Sequence, residues 1–373
     1  MIRVLQCVNN MHRAGLETVL MNYYRNIDRT QIQFDFLTHR PERDDYDDEI
    51  EALGGRIYRA PRLYPQNYPA YFRYMKQFFA EHPEYKIVHS HIDSMSYLPL
   101  LAAKKAGVPI RIAHSHSTGI DADLKYGLKQ SFRRRIPKAA NYLWACGEKA
   151  GQFLFRGKPF TVIPNAVDAG QYLYSPQIRQ KKREELDLQD KLVIGHAGRF
   201  CYPKNHSFLL DIFSQLVKKE PNAVLLLVGK GELESKLRQK TRQLQLEDKV
   251  LFAGSRSDLN EIYQAMDVLV MPSRFEGIPM VGIEAQFSGL PCVFSDQVPE
   301  ETAFTDNCRF VGLNQSAEQW AAQVLRIATQ PREQSPVSEK YDIRYAHKLL
   351  ETQYCKLHSQ CADSGQAEKV EMK

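Results

Sequence analysis

Two glutamates, Glu276 and Glu284, lie eight positions apart in the stretch RFEGIPMVGIE, with mostly small and apolar residues between them. The apolar run before them predicts a buried strand, and Pro279 suits the first turn of a following helix. Glu276 then lies at the crest of a loop and Glu284 in the second turn of that helix. The helix start near Gly277 and Ile278 can hold an anionic diphosphate between the two carboxylates, and a carboxylate can accept paired hydrogen bonds from a sugar diol.

The alternative for Glu284 is a capping or ion-paired glutamate in a half-buried helix. This alternative is weakened because Glu284 shares a helix face with apolar residues, where an unpaired charge is costly. The sequence therefore favours a site for a diphosphate and a sugar.

Three other strand-to-helix loops carry residues suited to the same chemistry. In HAGRFCYPKNHS, Arg199 and Lys204 precede a helix and can grip a diphosphate, although two solvated surface cations are the alternative. In VGKGELESKL, Gly229 and Gly231 fit a phosphate-binding turn or a plain helix start. The first loop, NNMHRAGLE, has only Gly15, which disfavours a dinucleotide G-x-G-x-x-G but permits close approach of a phosphate or sugar.

Alternating strands and helices must position these loops. The predicted strands are IRVLQCV, FDFLT, KIVHSH, IRIAHS, NYLWAC and FTVIPNAVD, followed by KLVIGHAGRF, AVLLLVGKG, VLFAG, DVLVMPS and PCVFSD. Two rounds of this pattern predict an α/β protein with two doubly wound parallel-sheet domains, an N-terminal one at 1–165 and a C-terminal one at 166–339. A last helix is expected at about 339 to 357, and 340–373 are expected to cross back onto the first domain.

The composition is that of an ordinary soluble protein, with 373 residues, 43% hydrophobic and 25% charged. No run of about 18 apolar residues predicts a membrane span, and the start MIRVLQCVNN is typical of a buried strand rather than a signal peptide. Seven scattered cysteines without a C-x-x-C indicate reduced thiols, so a cytoplasmic location is expected.

Positive charge is concentrated in the first half of the chain. Residues 1–165 carry 24 Lys+Arg against 16 Asp+Glu, whereas residues 166–373 carry 26 against 28. The first half also contains the aromatic stretch YPQNYPAYFRYMKQFF at 64–79 and the basic stretch LKQSFRRRIPK at 128–138. A basic, aromatic surface suits peripheral attachment to the inner face of the plasma membrane; a core stripe with a solvated basic face is the alternative. Nucleic-acid binding is not expected, since no binding motif accompanies the charge.

Taken in order, these motifs resemble those of retaining glycosyltransferases of family four. The ordered set is AGLE, IPNAVD, GRF with a following lysine, VGKGEL and PSRFEGIPMVGIEAQFSGLPCVFSD, and it covers about residues 1–330. The similarity is greatest to bacterial enzymes of capsular and extracellular polysaccharide synthesis. It implies the GT-B fold, in which two Rossmann-like domains face each other across a cleft, with the donor on the second domain and the acceptor on the first.

The resemblance also implies roles for individual residues. Arg199 and Lys204 match the cations that grip the donor diphosphate, Glu284 matches the glutamate that binds the donor ribose, and Glu276 lies near the donor sugar. The other donor-binding residues implied are Gly15, Gly229, Gly231, Arg256, Gly277, Ile278, Pro279 and Met280. His116 best matches the active-site histidine, with His114 as the competing assignment. The catalytic set expected is therefore Glu276, His116, Arg199 and Lys204.

Two departures from the family pattern affect single positions. Ala14-Gly15 replaces the usual Gly-Gly of the first loop, which puts close backbone approach at position 14 in doubt. Asn165-Ala166 replaces the usual Asn-Gly of the linker. Neither change touches the charged donor residues.

The implied reaction transfers a hexose or N-acetylhexosamine from a nucleotide sugar, UDP-linked by family resemblance, to a lipid-linked or saccharide acceptor. No metal or other cofactor is expected, since no D-x-D or metal-like His/Asp spacing follows a strand and HID at 91–93 is too short a motif. The alternatives are a non-catalytic nucleotide-binding partner of another transferase, an epimerase or an inverting transferase. A dinucleotide-dependent oxidoreductase lacks its glycine loop.

Overall fold

The computed structural model describes residues 1–120, 125–332 and 338–371, with side chains as far as residue 361. The chain divides into two compact units, Met1–Ala166 with Glu339–Lys373, and Val167–Ser338. Each unit is built on one parallel β-sheet. No helix in the described ranges is both long and apolar enough to cross a membrane.

The first unit has a seven-stranded sheet in the order β3-β2-β1-β4-β5-β6-β7. Its strands are β1 (Ile2–Cys7), β2 (Ile32–Thr38), β3 (Ile57–Arg59), β4 (Ile87–Ser90), β5 (Ile110–Ser115), β6 (Tyr142–Ala145) and β7 (Thr161–Val162). Its helices are α1 (Gly15–Asn26), α2 (Asp47–Ala52), α3 (Tyr68–Glu81), α4 (Tyr97–Lys105), α5 (Tyr126–Ala139), α6 (Glu148–Phe155) and the last helix of the chain, α13 (Ile343–Glu371).

The second unit has a six-stranded sheet in the order β10-β9-β8-β11-β12-β13. Its strands are β8 (Leu192–Ala197), β9 (Ala223–Val228), β10 (Val250–Gly254), β11 (Val268–Met271), β12 (Cys292–Ser295) and β13 (Cys308–Val311). Its helices are α7 (Pro176–Glu185), α8 (His206–Leu216), α9 (Glu234–Gln243), α10 (Leu259–Ala265), α11 (Met280–Phe287) and α12 (Ala317–Ala328).

In both sheets the strand order reverses beside the first strand of the unit, between β1 and β4 and between β8 and β11. At such a point the following helices diverge to opposite faces, which leaves a crevice beyond the carboxyl ends of the two strands. The chemistry expected from the sequence follows these strands in both units.

The prediction of two doubly wound α/β units is confirmed, but some elements differ from expectation. Strands β3 and β13 were not predicted, because each has only three or four residues and lacks a sustained apolar run. The last helix begins at Ile343 and ends at Glu371, rather than spanning 339 to 357. Its residue Tyr354 is buried and hydrogen-bonds Gln6 and His89, which anchors this helix to the first sheet.

Part of the aromatic stretch at 64–79 packs inward, which favours a core stripe for those residues, while its contribution to a membrane-facing surface stays a prediction. Tyr71, Phe78 and Phe79 on α3 are buried in the core of the first unit. Their spacing puts them on one helix face, which explains why an aromatic-rich sequence forms a core stripe. The basic stretch behaves differently, because α5 buries Phe132 and Ile136 and leaves the cations of Arg134, Arg135 and Lys138 exposed.

Candidate functional site

The loops that follow β8 and β11 are joined to each other by hydrogen bonds. Asn205, which has a left-handed backbone with φ of 57°, donates from Nδ2 to the carbonyl oxygen of Pro272 at 3.0 Å. Arg274 donates from its backbone nitrogen to the carbonyl of Pro203 at 2.7 Å and from Nη2 to Asn205 Oδ1 at 2.9 Å. These bonds fix one loop relative to the other at the switch point of the sheet.

Lys204 and Glu276 form an ion pair across these two loops. Lys204 Nζ donates to Glu276 Oε1 at 2.7 Å, and the two side chains are 19% and 11% exposed. The ring centroids of His196 and His206 lie 4.4 Å apart, and burial lowers the pKa values of these imidazoles to about 4 and about 2. Because both imidazoles are neutral at pH 7, Lys204 rather than either histidine supplies the positive charge that faces Glu276. The structure thus brings together one predicted cation and one predicted carboxylate.

Arg199 lies in the same loop as Lys204 but is much more exposed. Its guanidinium pairs with Glu232, with Nη2 donating to Oε2 at 3.0 Å, and its side chain is 73% exposed. The charges of Arg199, Lys204 and Glu232 all act on the Cys201 thiol, whose pKa is raised mainly by burial. Arg199 therefore lies near Lys204, and its exposed side chain is held by a surface ion pair of small energy.

Glu284 is buried one turn into α11, and its carboxylate is held by two tyrosines. Tyr263 donates its hydroxyl to Oε2 at 2.7 Å and Tyr172 donates to Oε1 at 3.2 Å. Burial raises the pKa of Glu284, while the two hydroxyl donors act in the opposite direction. Neither tyrosine could be predicted as a partner of Glu284, because Tyr172 and Tyr263 lie 112 and 21 residues away in the chain.

The segment between the two glutamates forms the start of α11. Pro279 is the N-cap residue and Met280 begins the helix, so Pro279 lies one position before the first turn in which it was predicted. Gly277, Ile278, Pro279 and Met280 are all buried. The backbone rather than side-chain polarity is what this segment offers to an anion.

Gly229 and Gly231 allow the loop after β9 to pack against the loop after β8. The backbone nitrogen of Gly198 donates to Val228, and that of Phe200 donates to Lys230, at 2.9 and 3.0 Å. A Cβ on Gly229, where φ is +136°, would lie 2.1 Å from the carbonyl oxygen of Gly198. Close packing of the two loops is therefore sufficient to explain why positions 229 and 231 are glycine.

Substituting Gly231 with alanine is expected to destabilise the second unit by about 1–3 kcal/mol. The added Cβ would lie 2.4 Å from the carbonyl oxygen of Phe200, and backbone cannot yield as a flexible side chain can. Urea unfolding measures the loss. Gly127→Ala, in α5 of the first unit, is the control, because a Cβ added there meets no atom within 4 Å and should be neutral or slightly stabilising. Equal stabilities of the two variants would contradict the packing role.

Arg256 follows the edge strand β10, two strands away from β8. Its guanidinium donates from Nε to Asp258 Oδ1 at 2.8 Å and from Nη2 to Glu185 at 3.2 Å. These contacts lower the pKa of Asp258 and raise that of Arg256. The structure therefore engages Arg256 with two carboxylates and does not bring it to the Lys204–Glu276 pair.

In the first unit, β4 and β5 each end in His-Ser, and a second histidine follows each strand directly. Alternate residues of a strand share a face, so His89, His91, His114 and His116 cluster at two neighbouring strand ends. His89 Nε2 lies 3.0 Å from His114 Nδ1, and His91 Nδ1 lies 2.9 Å from His116 Nε2. Burial lowers the pKa of all four, to about 3 for His116, so the rings are neutral at pH 7. His116 is half-buried and His114 buried.

Three of these histidines also satisfy the distances of a metal site. One ring nitrogen from each of His89, His91 and His114 can lie within 4.8 Å of the others. Five of their six ring nitrogens already have hydrogen-bond partners, and in the described part of the chain only His114 Nε2 lacks one. A metal ion would have to displace several of these bonds. The expectation that no metal is required stays a prediction.

Gly15 is the first residue of α1, where it is exposed and where a Cβ would meet open space. Two residues later, Glu17 is only 8% exposed, and burial raises the pKa of its carboxyl to about 7. A perturbed carboxyl in the first turn of a helix that follows a strand is a feature of functional sites. In the sequence, Glu17 stands out only as part of AGLE, and no polarity pattern predicts its burial.

Replacing Glu17 with glutamine should remove a pH-dependent loss of stability. Because the folded carboxyl titrates at about 7 rather than at its ordinary 4.5, ionisation destabilises the folded state as pH rises through this window. We expect the wild type to lose up to about 3 kcal/mol between pH 5 and 8 relative to Glu17→Gln. Urea unfolding at four pH values tests this, with exposed Glu339→Gln as control. Parallel pH profiles for wild type and Glu17→Gln would refute it.

The chain is similar to glycosyltransferases over most of its length. The family model described as "Glycosyltransferase Family 4" matches residues 13–171, and that described as "Glycosyl transferases group 1" matches residues 178–342. EpsF of Bacillus subtilis (strain 168), named as a glycosyltransferase, is 36% identical over 340 residues, which cover 88% of each chain. A UDP-Gal:alpha-D-GlcNAc-diphosphoundecaprenol alpha-1,3-galactosyltransferase of Escherichia coli is 27% identical over 225 residues, covering 57% of this chain and 58% of that protein.

Among solved structures, the fold is similar to that of Anabaena Alr3699/HepE in complex with UDP and glucose. The TM-score is 0.79 at 18% identity, over 95% of this chain and 100% of that one. This likeness shows two Rossmann-like units of the GT-B type. Together with the family models and the extent of the match to EpsF, it leads to one conclusion: the chain belongs to glycosyltransferase family 4.

Proposed function

We propose that this glycosyltransferase moves a hexose or N-acetylhexosamine from a UDP-sugar to a lipid-linked or saccharide acceptor in the synthesis of a cell-surface polysaccharide. The observation that carries the proposal is the ion pair of Lys204 and Glu276 at the switch point of the second unit. The name of the Escherichia coli relative supports a UDP-sugar donor and a lipid-diphosphate acceptor, and the UDP complex of HepE supports the nucleotide.

In the proposed reaction, the bond between the anomeric carbon and the diphosphate oxygen breaks, and the acceptor hydroxyl oxygen forms a new bond to that carbon. The acceptor proton passes to the departing diphosphate, and a front-face course retains the anomeric configuration. Negative charge develops on the diphosphate. Lys204, with Arg199 beside it, stabilises this charge electrostatically, as does the start of α11. These groups supply what a metal ion would otherwise supply, so we propose transfer without a metal.

The two glutamates have separate roles in this proposal. Glu276 keeps Lys204 in place before the donor arrives and then lies near the donor sugar. Glu284 accepts hydrogen bonds from the ribose hydroxyls, and Tyr263 holds its carboxylate in the required orientation at 2.7 Å. The backbone of 277–280 meets the phosphates and the sugar.

We assign the acceptor to the first unit, with His116 as the histidine that contacts a sugar hydroxyl. The exposed cations of α5, Arg134, Arg135 and Lys138, suit an anionic membrane surface, where each is worth about 1 kcal/mol. We therefore propose a cytoplasmic enzyme that meets its lipid-linked acceptor at the inner face of the plasma membrane.

Calorimetric titration of nucleoside diphosphates and UDP-sugars, with EDTA present, tests the proposal. We expect micromolar UDP affinity in wild type and its loss in Glu284→Ala, because the ribose loses its carboxylate partner. Glu247→Ala, an exposed carboxylate of the same unit, is the control and should bind normally.

Failure to bind any nucleotide would refute the proposal. Nucleotide binding without turnover of any UDP-sugar would instead favour a non-catalytic partner subunit. Binding that requires a divalent metal would refute metal independence alone.

A further inference from the structure

The two candidate histidines of the first unit end two branches of one hydrogen-bond network that begins at Gln6. Gln6 lies on β1 in register with His89 of β4, so both side chains are on the same sheet face. Its Oε1 lies 2.8 Å from His91 Nε2, and its Nε2 donates to the hydroxyl of Tyr354 at 3.2 Å. Gln6, His89, His91 and Tyr354 are all at most 2% exposed, so water does not compete for these bonds.

The branch from the amide oxygen ends at His116. Because Gln6 Oε1 can only accept, His91 must carry its proton on Nε2. A neutral imidazole has one N–H, so His91 Nδ1 is the acceptor, and His116 Nε2 donates to it at 2.9 Å. His116 therefore has an unprotonated Nδ1, which has no hydrogen-bond partner among the described residues. The backbone nitrogen of His116 donates to Asp93 Oδ1 at 2.9 Å, which holds the main chain from which the ring extends.

The branch from the amide nitrogen ends at His114 with the opposite polarity. Since Tyr354 accepts from Gln6, its own hydroxyl proton goes to His89 Nδ1 at 2.6 Å. His89 then donates from Nε2 to His114 Nδ1 at 3.0 Å, and His114 carries its proton on Nε2. That nitrogen is buried without a partner in the described ranges, and His114 is one of the residues that line a small cavity.

We propose that Gln6 is a positioning residue for His116 and His114. It leaves His116 with an unprotonated Nδ1, which accepts a hydrogen bond from a hydroxyl of the donor sugar or of the acceptor substrate. It leaves His114 with a protonated Nε2, which can only donate. One branch starts at the amide oxygen of Gln6, which accepts, and the other at the amide nitrogen, which donates. The hydrogen bonds therefore run in opposite directions along the two branches, so the free ring nitrogen is an acceptor in His116 and a donor in His114. Turning the amide over would reverse both ends together. The inference rests on the proposed function, because it assigns His116 a role in sugar transfer.

The experiment combines imidazole NMR with kinetics on the full chain. Long-range ¹H–¹⁵N correlation of ¹⁵N-histidine protein identifies which ring nitrogen carries the proton. In wild type we expect the proton on Nε2 of His116. Gln6→Met removes both polar atoms with little change in shape, so a fraction of His116 should move its proton to Nδ1. The kcat for release of UDP from the UDP-sugar identified by titration should fall roughly 10- to 100-fold, with little change in KM.

Two further variants separate positioning from a general loss of structure. Gln6→Glu keeps an oxygen acceptor for His91 in either protonation state of the carboxyl group, so His116 should keep its Nε2 proton and most of the kcat loss should be recovered. His91→Phe keeps a ring but removes the acceptor of His116 Nε2, so it should lower kcat in the same way. This variant replaces Gln6→Met in the test if Gln6→Met does not fold.

The outcomes are distinct. An Nε2 proton on His116 that survives both Gln6→Met and His91→Phe overturns the proposal, as does an altered proton position with unchanged kcat. An Nδ1 proton on wild-type His116 also overturns it. If wild type releases UDP from no UDP-sugar, the proposed function fails, whereas the NMR result still decides whether Gln6 sets the ring protonation.

Discussion

Lys204→Met is expected to lower the kcat for sugar transfer by about 10²–10³-fold. Lys204 is a half-buried cation at the switch point, and its ammonium lies 2.7 Å from Glu276 Oε1. A cation that is already in place needs little reorganisation when charge develops on the departing diphosphate. The loss should therefore appear mainly in kcat, since the interaction strengthens as the bond to the anomeric carbon breaks.

Part of any loss in Lys204→Met could come from leaving Glu276 unpaired, since its side chain is only 11% exposed. The double variant Lys204→Met with Glu276→Gln removes that charge and should recover stability without recovering kcat. Lys236→Met, on the exposed face of α9, is the matched control and should leave kcat unchanged. A kcat within about threefold of wild type for Lys204→Met would remove Lys204 from the transition state.

The framework of this site could be predicted from sequence because it depends on local patterns. The apolar runs predict strands β8 and β11, and Arg199, Lys204 and Glu276 follow these runs directly in sequence. Because the strands are parallel, the loops that carry these residues lie at the same edge of the sheet. The pairing of Lys204 with Glu276 specifically could not be predicted, since it depends on the hydrogen bonds of Asn205 and Arg274 between two loops 67 to 72 residues apart.

Partners that come from distant segments were missed for the same reason. Tyr172 and Tyr263 approach Glu284 from 112 and 21 residues away. The histidine network was also missed, although the sequence contains a signal for it. Both KIVHSH at 86–91 and IRIAHSH at 110–116 end in His-Ser-His, and their strands are neighbours in the sheet. Strand order, which a single sequence does not provide, was the missing step.

Asp267→Ala is expected to destabilise the second unit by about 3–5 kcal/mol. Asp267 precedes β11 and accepts from the backbone nitrogen of Val193 in β8 at 2.7 Å, while its own nitrogen donates to the Val193 carbonyl at 2.8 Å. Its carboxylate also pairs with Arg179 and Arg183 of α7. Removing it leaves two largely buried guanidinium groups without their counter-charge and weakens the junction of the two strands that carry Lys204 and Glu276.

The chain offers a direct probe for this test, because its two tryptophans lie in different units. In a Trp144→Phe background, the fluorescence of the buried Trp320 reports urea unfolding of the second unit alone. Glu234→Ala, which breaks an exposed ion pair with Arg238 in the same unit, is the control and should cost no more than about 0.5 kcal/mol. A loss of that size for Asp267→Ala would mean that the buried arginines find other partners, and that the backbone bonds of β8 and β11 hold the switch point without the carboxylate.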